Sequence, residues 1–292
     1  MTAHPAANLI SAVPTLFAGD GTVDRSATRA AYDQLARHPL DGVFVGGTTG
    51  EFTTLTDDER LDVSTAAAEA FGADRTYWHV GHASTHQAVR LTRAAVDRGA
   101  ARFAALTPHY FPATESALLA YYEAVVAAAD GRPVYGYLFA ARTTTPVSPD
   151  LLARLVGTGL AGVKISGEST AALTGYLSAL GDPTLPVYSG ADAEFTEVVT
   201  AGAAGVVSGV SSVLPEPFLA VRDALRTGDT EALVAARERS LRAVAATRHG
   251  DLAHLKAVLE LRGLPAGGLR APLDPIDPDD RRALESAVAD LL

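Results

Sequence analysis

The sequence predicts an α/β fold, a (β/α)8 TIM barrel with a C-terminal helical extension. Two patterns carry that expectation. Eight short apolar runs, at residues 9–16, 42–46, 77–81, 103–106, 134–139, 162–165, 185–189 and 205–209, alternate with longer amphipathic stretches. After about residue 226 the short runs stop and only helical patterns continue. Runs of a few residues rich in Val, Ala, Leu and aromatics suit parallel strands covered on both faces. Eight strand–helix units in succession suit a closed barrel. The competing architecture, a doubly wound sheet, usually carries a glycine-rich dinucleotide fingerprint after its first strand. Here the first run leads into Phe17-Ala-Gly-Asp-Gly-Thr22, which lacks that pattern.

The helices between the runs announce their starts. Thr56 stands three residues before Glu59, the spacing of a capping box. Ser148 is followed by Pro149, a residue suited to a first helical turn. Ala113-Thr-Glu-Ser116, Gly190-Ala-Asp192 and Leu214-Pro-Glu-Pro217 open further helices. In the tail, 227–248, 252–262 and 277–292 read as helices, with Asp277 as N-cap and Pro278 at the first helical position. A Pro/Gly-rich connector spans 263–276. The expected organisation is a barrel over 1–225 and a helical extension of the same domain over 226–292. The tail is too apolar for a mere linker.

Composition narrows the function. Apolar residues make up 48% of the 292, enough for a sizeable core. The net charge of −10 argues against wrapping nucleic acid or binding an anionic membrane. The absence of cysteine excludes disulfides, thiolate nucleophiles and cysteine metal sites. Met1-Thr-Ala-His-Pro-Ala-Ala-Asn8 shows no basic segment followed by an apolar core. No apolar run approaches the roughly 20 residues of a membrane span. The expected location is cytoplasmic.

Only two lysines occur, Lys164 and Lys256, against 22 arginines. Lys164 lies in Leu160-Ala-Gly-Val-Lys-Ile-Ser166, a buried-strand pattern with a charge near its end. An ammonium that loses its proton in a desolvated site can attack a carbonyl and form a Schiff base; a guanidinium cannot. The plainer reading is a lysine that caps a strand end or pairs with a carboxylate. In barrel enzymes reacting groups sit at the C-terminal ends of strands, which directs attention to three more segments. Gly46-Gly-Thr-Thr-Gly-Glu51 ends the second strand, and its successive amides suit an anion, a carboxylate or a phosphate, or simply a βα turn. Tyr135-Gly-Tyr137-Leu-Phe-Ala-Ala-Arg142-Thr143 ends the fifth, where a tyrosine serves either as a proton shuttle or as a core aromatic. Thr107-Pro-His-Tyr110-Phe-Pro112 ends the fourth in an aromatic loop. His79, His82 and His86 invite a metal reading, but their spacing does not put them on one regular element, and no carboxylate partner is evident.

Taken together and in this order, these segments resemble the dihydrodipicolinate synthase / N-acetylneuraminate lyase family of pyruvate-dependent class I aldolases. The resemblance runs over essentially the whole chain. It includes Gly47-Thr-Thr-Gly-Glu51, the spacing from Tyr137 to Arg142-Thr143, Gly162-Val-Lys164, Ser189-Gly-Ala-Asp192, Pro215-Glu216, and in the tail Lys256, Gly263-Leu-Pro265 and Arg270-Ala-Pro-Leu273. It implies that Lys164 forms the imine with pyruvate and that Tyr137 moves protons. Thr48 and Thr49, with Gly47, would hold the pyruvate carboxylate and link to Tyr137. Tyr110 would reach a neighbouring subunit's site, so the expected assembly is a homotetramer, a dimer of dimers. Arg142 would meet the acceptor's charge at the mouth. Ser166, Gly190, Asp192 and Ser208 match positions where the sialic acid lyase branch touches a polyhydroxylated chain. Lys256 reads as an ordinary surface residue of the tail. The implied partners are pyruvate and an aldehyde; no metal or organic cofactor is required.

The pattern also departs from the family. Its usual Asn-Val-Pro-Gly after the strand-five tyrosine is Leu138-Phe-Ala-Ala141 here, so the loop is expected to differ in shape. His109 stands where synthases often have tyrosine, and Ala193 where the sialic acid lyase branch has a hydroxyl-binding glutamate. The run His79-Val-Gly-His-Ala-Ser-Thr85 looks more like that branch, and Gly50-Glu-Phe52 resembles sugar-acid dehydratases and aldolases. The expectation is an aldolase or lyase for a sugar-acid-like 2-keto acid, of the N-acetylneuraminate lyase or 2-keto-3-deoxy sugar acid aldolase type. The alternatives are 4-hydroxy-tetrahydrodipicolinate synthase, which condenses pyruvate with aspartate semialdehyde, and a dehydratase or hydratase-aldolase using the same imine. Outside that chemistry stand a 2-keto-acid-binding regulatory protein and a metal-dependent barrel aldolase or hydrolase.

Overall fold

The computed structural model describes residues 6–292; the N-terminal stretch read for a targeting signal begins outside them. Eight parallel strands close into a barrel in sequence order. They are β1 (Asn8–Ala12), β2 (Gly42–Val45), β3 (Thr76–His79), β4 (Arg102–Leu106), β5 (Val134–Leu138), β6 (Gly162–Ile165), β7 (Val187–Ser189) and β8 (Gly205–Ser208). The barrel closes where Asn8–Ser11 run beside Gly205–Ser208. Around it lie α1 (Arg25–Leu35), α2 (Asp57–Phe71), α3 (Thr85–Asp97), α4 (Glu115–Ala128), α5 (Ala140–Thr143), α6 (Pro149–Val156), α7 (Thr170–Leu180), α8 (Phe195–Thr200) and α9 (Pro215–Thr227). The tail adds α10 (Thr230–Ala246), α11 (Leu252–Leu261) and α12 (Pro278–Val288). Among the described residues, no helix is long and apolar enough to cross a membrane.

Every expected apolar run contains a strand. The first run overshoots, because β1 ends at Ala12 and Val13–Leu16 continue as buried coil. Pro14 explains the stop, since it has no N–H to give to a ladder. The helix starts follow the sequence signals. Thr56 and Glu59 form the reciprocal capping box of α2, and Ser148, Thr114 and Asp277 accept from backbone N–H groups at their helix starts. The altered loop after β5 winds into the single turn α5, and Thr144 leaves it in a left-handed conformation.

Strand alternation divides the interior into two cores. Outward residues such as Val43, Val45, Val163 and Ile165 join the large layer between strands and helices. Inward residues form a second cluster inside the barrel that includes Phe44, Tyr77, Tyr135, Tyr137 and Tyr188. Tyr77 and Tyr135 meet edge to face at 5.0 Å between ring centroids and, with Tyr188, floor the barrel. Gly162 makes that floor possible. A Cβ there would lie 2.5 Å from the Tyr135 ring and 2.7 Å from the Pro186 carbonyl. The next inward position up β6 is Lys164, which stands above the aromatic floor.

The tail returns to the C-terminal mouth of the barrel. Its connector crosses over Phe17 so closely that a Cβ on Gly267 would sit 1.5 Å from the Phe17 carbonyl oxygen. Beyond it, Arg270 grips Glu59 of α2 with two N–H···O bonds of 2.8 and 2.9 Å, and donates to the carbonyls of Thr54 and Gly21. Hydrogen bonding to Arg270 holds the Glu59 carboxyl down at about 2. A depressed carboxyl contributes stability above its ordinary value, 4.5, which is lost as pH falls toward 2. Arg270→Met is expected to cost about 1 kcal/mol near neutral pH, the upper range for a partly exposed bidentate pair. In urea melts the gap to the unaltered protein should narrow as pH is lowered through that window; a constant gap would refute the assignment.

Candidate active site

The site is assembled by the register of neighbouring strands. Tyr137 on β5 pairs directly with Lys164 on β6, so both side chains point inward at the same height. The Lys164 Nζ lies 4.1 Å from the centre of the Tyr137 ring and 4.4 Å from that of Phe44. Lys164 is 6% exposed. Among the described residues its amine has neither an ion-pair partner nor a hydrogen-bond acceptor. Aromatic faces attract the cation without taking up its nitrogen in a hydrogen bond, so the amine is left unpaired.

The loop after β2 adds the next groups. Thr48 Oγ1 is 3.1 Å from the Tyr137 hydroxyl. The N–H groups of Glu51 and Phe52 close back on the carbonyls of Thr48 and Gly47, which makes the loop a compact turn. The amides of Thr48 and Thr49 donate to no protein acceptor among the described residues. Two free amides beside a hydroxyl suit a carboxylate. Gly47 is required sterically, because a Cβ there would lie 2.6 Å from the Phe44 ring. The Thr49 hydroxyl makes no hydrogen bond to Tyr137 among the described residues and comes within 3.2 Å of where a Cβ on Gly209, just past β8, would stand.

Across the barrel, Ser166 follows β6, Gly190 and Asp192 follow β7, and Ser208 is the last residue of β8. Gly190 abuts Ser166 so tightly that a Cβ would touch the serine hydroxyl. The Ser208 hydroxyl accepts from the Ser211 N–H at 2.9 Å. Asp192 is partly exposed as a residue, yet its Oδ1 is buried and lacks a hydrogen-bond partner. Burial pushes its carboxyl up to about 7, against the pull of the Ser208 hydroxyl and the Lys164 charge. Glu194 does not supply the glutamate missing at Ala193; its carboxylate caps the start of α7 through Thr170 N at 2.9 Å. A cavity of about 520 Å³ opens over Thr48, Thr49, His109 and Arg142, and the tail closes its far side through Asp251 and Leu273. Arg142 is exposed at this mouth, its guanidinium 5.9 Å from the Phe139 ring centre.

Tyr110 is not brought to the cluster within one chain. It is 79% exposed, in a left-handed conformation, with its ring against Phe111. His79, His82 and His86 do not converge, and no group of metal-ligating side chains gathers among the described residues. His79 Nδ1 meets the Gly46 carbonyl at 2.8 Å while its Nε2 faces the Leu106 N–H at 3.3 Å. That is the pattern of a neutral ring, and burial, reinforced by the nearby Arg60 charge, holds its pKa well below the usual histidine value. His79 therefore fixes the head of the Thr48 loop, a role the sequence reading missed. One expectation is overturned. Lys256 is a buried residue of the tail, 2% exposed, with its Nζ 2.6 Å from Glu51 Oε1 and 2.5 Å from the Gly268 carbonyl. The helical tail folds back over the mouth, which takes this ammonium out of water.

The comparisons agree with this geometry. The family model described as the dihydrodipicolinate synthetase family matches residues 5–291. The chain belongs to that family. It is 35% identical to 4-hydroxy-tetrahydrodipicolinate synthase 1 of Streptomyces coelicolor, over 98% of this chain and 94% of the relative. It is 31% identical to the N-acetylneuraminate lyase of Rhizobium meliloti, over 97% and 95%. A prophage protein of the dihydrodipicolinic acid synthase family from E. coli K12, solved in complex with pyruvate, superposes with a TM-score of 0.89 at 25% identity, covering 98% of each chain. This member of the dihydrodipicolinate synthetase family is accordingly a Schiff-base-forming lyase of the pyruvate-dependent aldolase class.

The raised Asp192 carboxyl has a measurable consequence. The folded protein keeps a proton there that the unfolded chain releases near its ordinary value of 3.8, so stability falls as pH rises from 3.8 to about 7. Asp192→Asn removes this slope. In urea melts the variant should gain on the unaltered protein across that window and hold a level difference above it.

Proposed function

We propose that this lyase cleaves and forms the carbon–carbon bond between pyruvate and an aldehyde carrying hydroxyls, acting on a sugar-acid-like 2-keto acid. The observation that carries the reading is the constellation of Lys164, Tyr137 and Thr48: an unpaired amine 4.1 Å from the ring of a tyrosine whose hydroxyl is 3.1 Å from a threonine.

In the cleavage direction, Lys164 Nζ attacks the C2 carbonyl of the keto acid, and loss of water leaves a protonated imine. The carboxylate rests on the Thr48 and Thr49 amides, which fixes C2 near the nitrogen and supplies much of the rate through geometry. Tyr137 takes the proton from the C4 hydroxyl as the C3–C4 bond breaks. The bonding pair flows into the imine, giving an enamine and a free aldehyde. Protonation at C3 and hydrolysis return pyruvate and the amine. Thr48 orients the phenol, and Tyr110 of a second copy completes the proton relay in a dimer of dimers. This last role is supported by a tyrosine ring left outside its own chain at 79% exposure. The cytoplasm is the location we assign.

Substrate class rests on the wall opposite Thr48. Ser166 carries a hydroxyl just past β6, and the partly exposed Asp192 has its Oδ2 3.9 Å from where a Cβ on Gly250, a residue lining the cavity, would stand, so that carboxyl can meet a substrate hydroxyl; Ser208 is fully buried and bears on Asp192 instead. A second reading, condensation of pyruvate with aspartate semialdehyde, is favoured by the 35% identity to a 4-hydroxy-tetrahydrodipicolinate synthase and by a cation, Arg142, at the mouth.

Incubation with pyruvate and borohydride is expected to add a reduced pyruvyl group to the peptide containing Lys164, and to no peptide of Lys164→Arg. Absence of the adduct on the unaltered protein would remove the imine mechanism. Tyr137→Phe should still be trapped by pyruvate but turn over about 10²- to 10⁴-fold more slowly, the usual contribution of general acid–base catalysis. A panel of polyhydroxylated 2-keto acids set against aspartate semialdehyde decides the acceptor. Turnover of the semialdehyde alone would favour the synthase.

A further inference from the structure

The second lysine occupies a site as specific as the first. Lys256 lies on α11, where helical periodicity turns it toward the barrel mouth. Its ammonium meets Glu51 Oε1 at 2.6 Å and donates to the Gly268 carbonyl at 2.5 Å. It also sits 4.3 Å from the centre of the Phe17 ring. Glu51 is 3% exposed and ends the Thr48 loop in a left-handed conformation, φ 55°, that a non-glycine residue adopts only under constraint. Its other oxygen, Oε2, accepts from the Arg270 N–H at 3.1 Å. The tail thus holds both oxygens of one carboxylate on the loop that carries Thr48 and Thr49. The same loop is tied at its head by His79 to Gly46, and in its middle by the Thr15 hydroxyl to the Gly50 carbonyl at 3.0 Å.

We infer that Lys256 is a positioning residue: its ion pair with Glu51 locks the Gly47–Glu51 turn so that the Thr48 hydroxyl stays on Tyr137 and the Thr48 and Thr49 amides stay aimed at the substrate carboxylate. The inference rests on the carboxylate-binding role given to those amides above. A buried pair is a costly way to gain stability alone, since apolar residues of similar volume often do as well. Its value here is geometric, because a left-handed glutamate cannot be kept in place by apolar packing of its backbone. A compact ammonium can pair with Glu51 and donate to the Gly268 carbonyl while resting on Phe17. A planar guanidinium presents its donors in a fixed fork and does not fit that arrangement. This accounts for a lysine at a position where the rest of the chain would use arginine.

The test compares the unaltered protein, Glu51→Gln, Lys256→Met and the double variant. Each single change strands a buried charge or leaves its partner unpaired and should lower the melting temperature; the double change removes both charges and should recover most of the loss. The inference predicts that the recovered double variant still binds pyruvate poorly. The pyruvate concentration that half-saturates borohydride trapping should rise about 10²-fold, as expected for a misplaced binding group, with the trapped fraction at saturation unchanged. Amide exchange of the 47–52 segment should quicken in the same variant. A purely structural pair would instead lower the trapped fraction at every concentration alike. Trapping and exchange in the double variant that match the unaltered protein would overturn the inference. Should the variants not fold, exchange in the unaltered protein decides: protection of 47–52 equal to that of the strands supports the clamp, and loop-like exchange overturns it. Failure of the unaltered protein to trap pyruvate would refute the imine reading instead, and the exchange result would still stand.

Discussion

Lys164 and Tyr137 are register partners on adjacent parallel strands, and nearly everything else at the mouth of this barrel depends on that pairing. In a parallel ladder, neighbouring strands carry their inward side chains at matched heights. Once β5 and β6 pair with Tyr135 beside Gly162, the next inward pair is fixed as Tyr137 beside Lys164. A slip of β6 by one residue would turn Lys164 outward, into the layer against the helices, and leave Tyr137 without it. The glycine at 162 protects the register from below, because Tyr135 occupies the space its side chain would need. The amine therefore does not owe its place to a charge partner. It is held by the sheet, with aromatic faces on two sides.

This arrangement separates two tasks that compete in a single residue. A lysine fixed by a carboxylate is well placed, but its proton is stabilised and its nitrogen is occupied. Lys256 is in that condition, with the Glu51 carboxylate beside it opposing the effect of burial on its ammonium. Lys164 is placed by backbone register and ring faces instead, which leaves its lone pair usable once the proton departs. The chain keeps only two lysines, and in the proposed mechanism and inference they take opposite roles: one bonds to the substrate's carbon, the other holds the loop that holds the substrate.

Much of this was legible in the sequence, for identifiable reasons. Strand positions could be read because parallel strands covered on both faces must be apolar throughout, and turn and cap residues bracket them. Lys164 could be read because a charge inside such a run is anomalous. The fate of Lys256 could not, although the same scarcity marked it. Its neighbours on α11 are ordinary helix residues, and its partner Glu51 lies 205 positions away in a different element. No local pattern reports an ion pair formed by a tail folding back across the barrel mouth. His79 was hidden for a related reason. Its spacing to other histidines suggested only a weak metal motif, whereas its function is to hold a carbonyl that heads the neighbouring loop.

Substrate choice follows from where variation is tolerated in this architecture. The imine machinery is bound to strand ends, where register permits few alternatives. The cavity above is lined by the loops after β2 and β4, by Arg142 after β5 and by the tail, which closes it through Asp251 and Leu273. Loops tolerate change that strands do not. A family on this fold can therefore keep one reaction centre and alter the acceptor by changing hydroxyl- and carboxyl-bearing residues in loops. Beyond β6, β7 and β8 this chain carries a buried carboxyl raised to about 7, two serines and an alanine, Ala193, packed against the large core. An uncharged or half-charged carboxyl repels an anionic acceptor less than a full carboxylate does, but it offers such an acceptor no cation. It can give or take a hydrogen bond with a neutral hydroxyl at little electrostatic cost. That balance supports the proposed hydroxylated chain, and it leaves the exposed Arg142 at the rim as the group proposed to meet charge at the far end of the substrate.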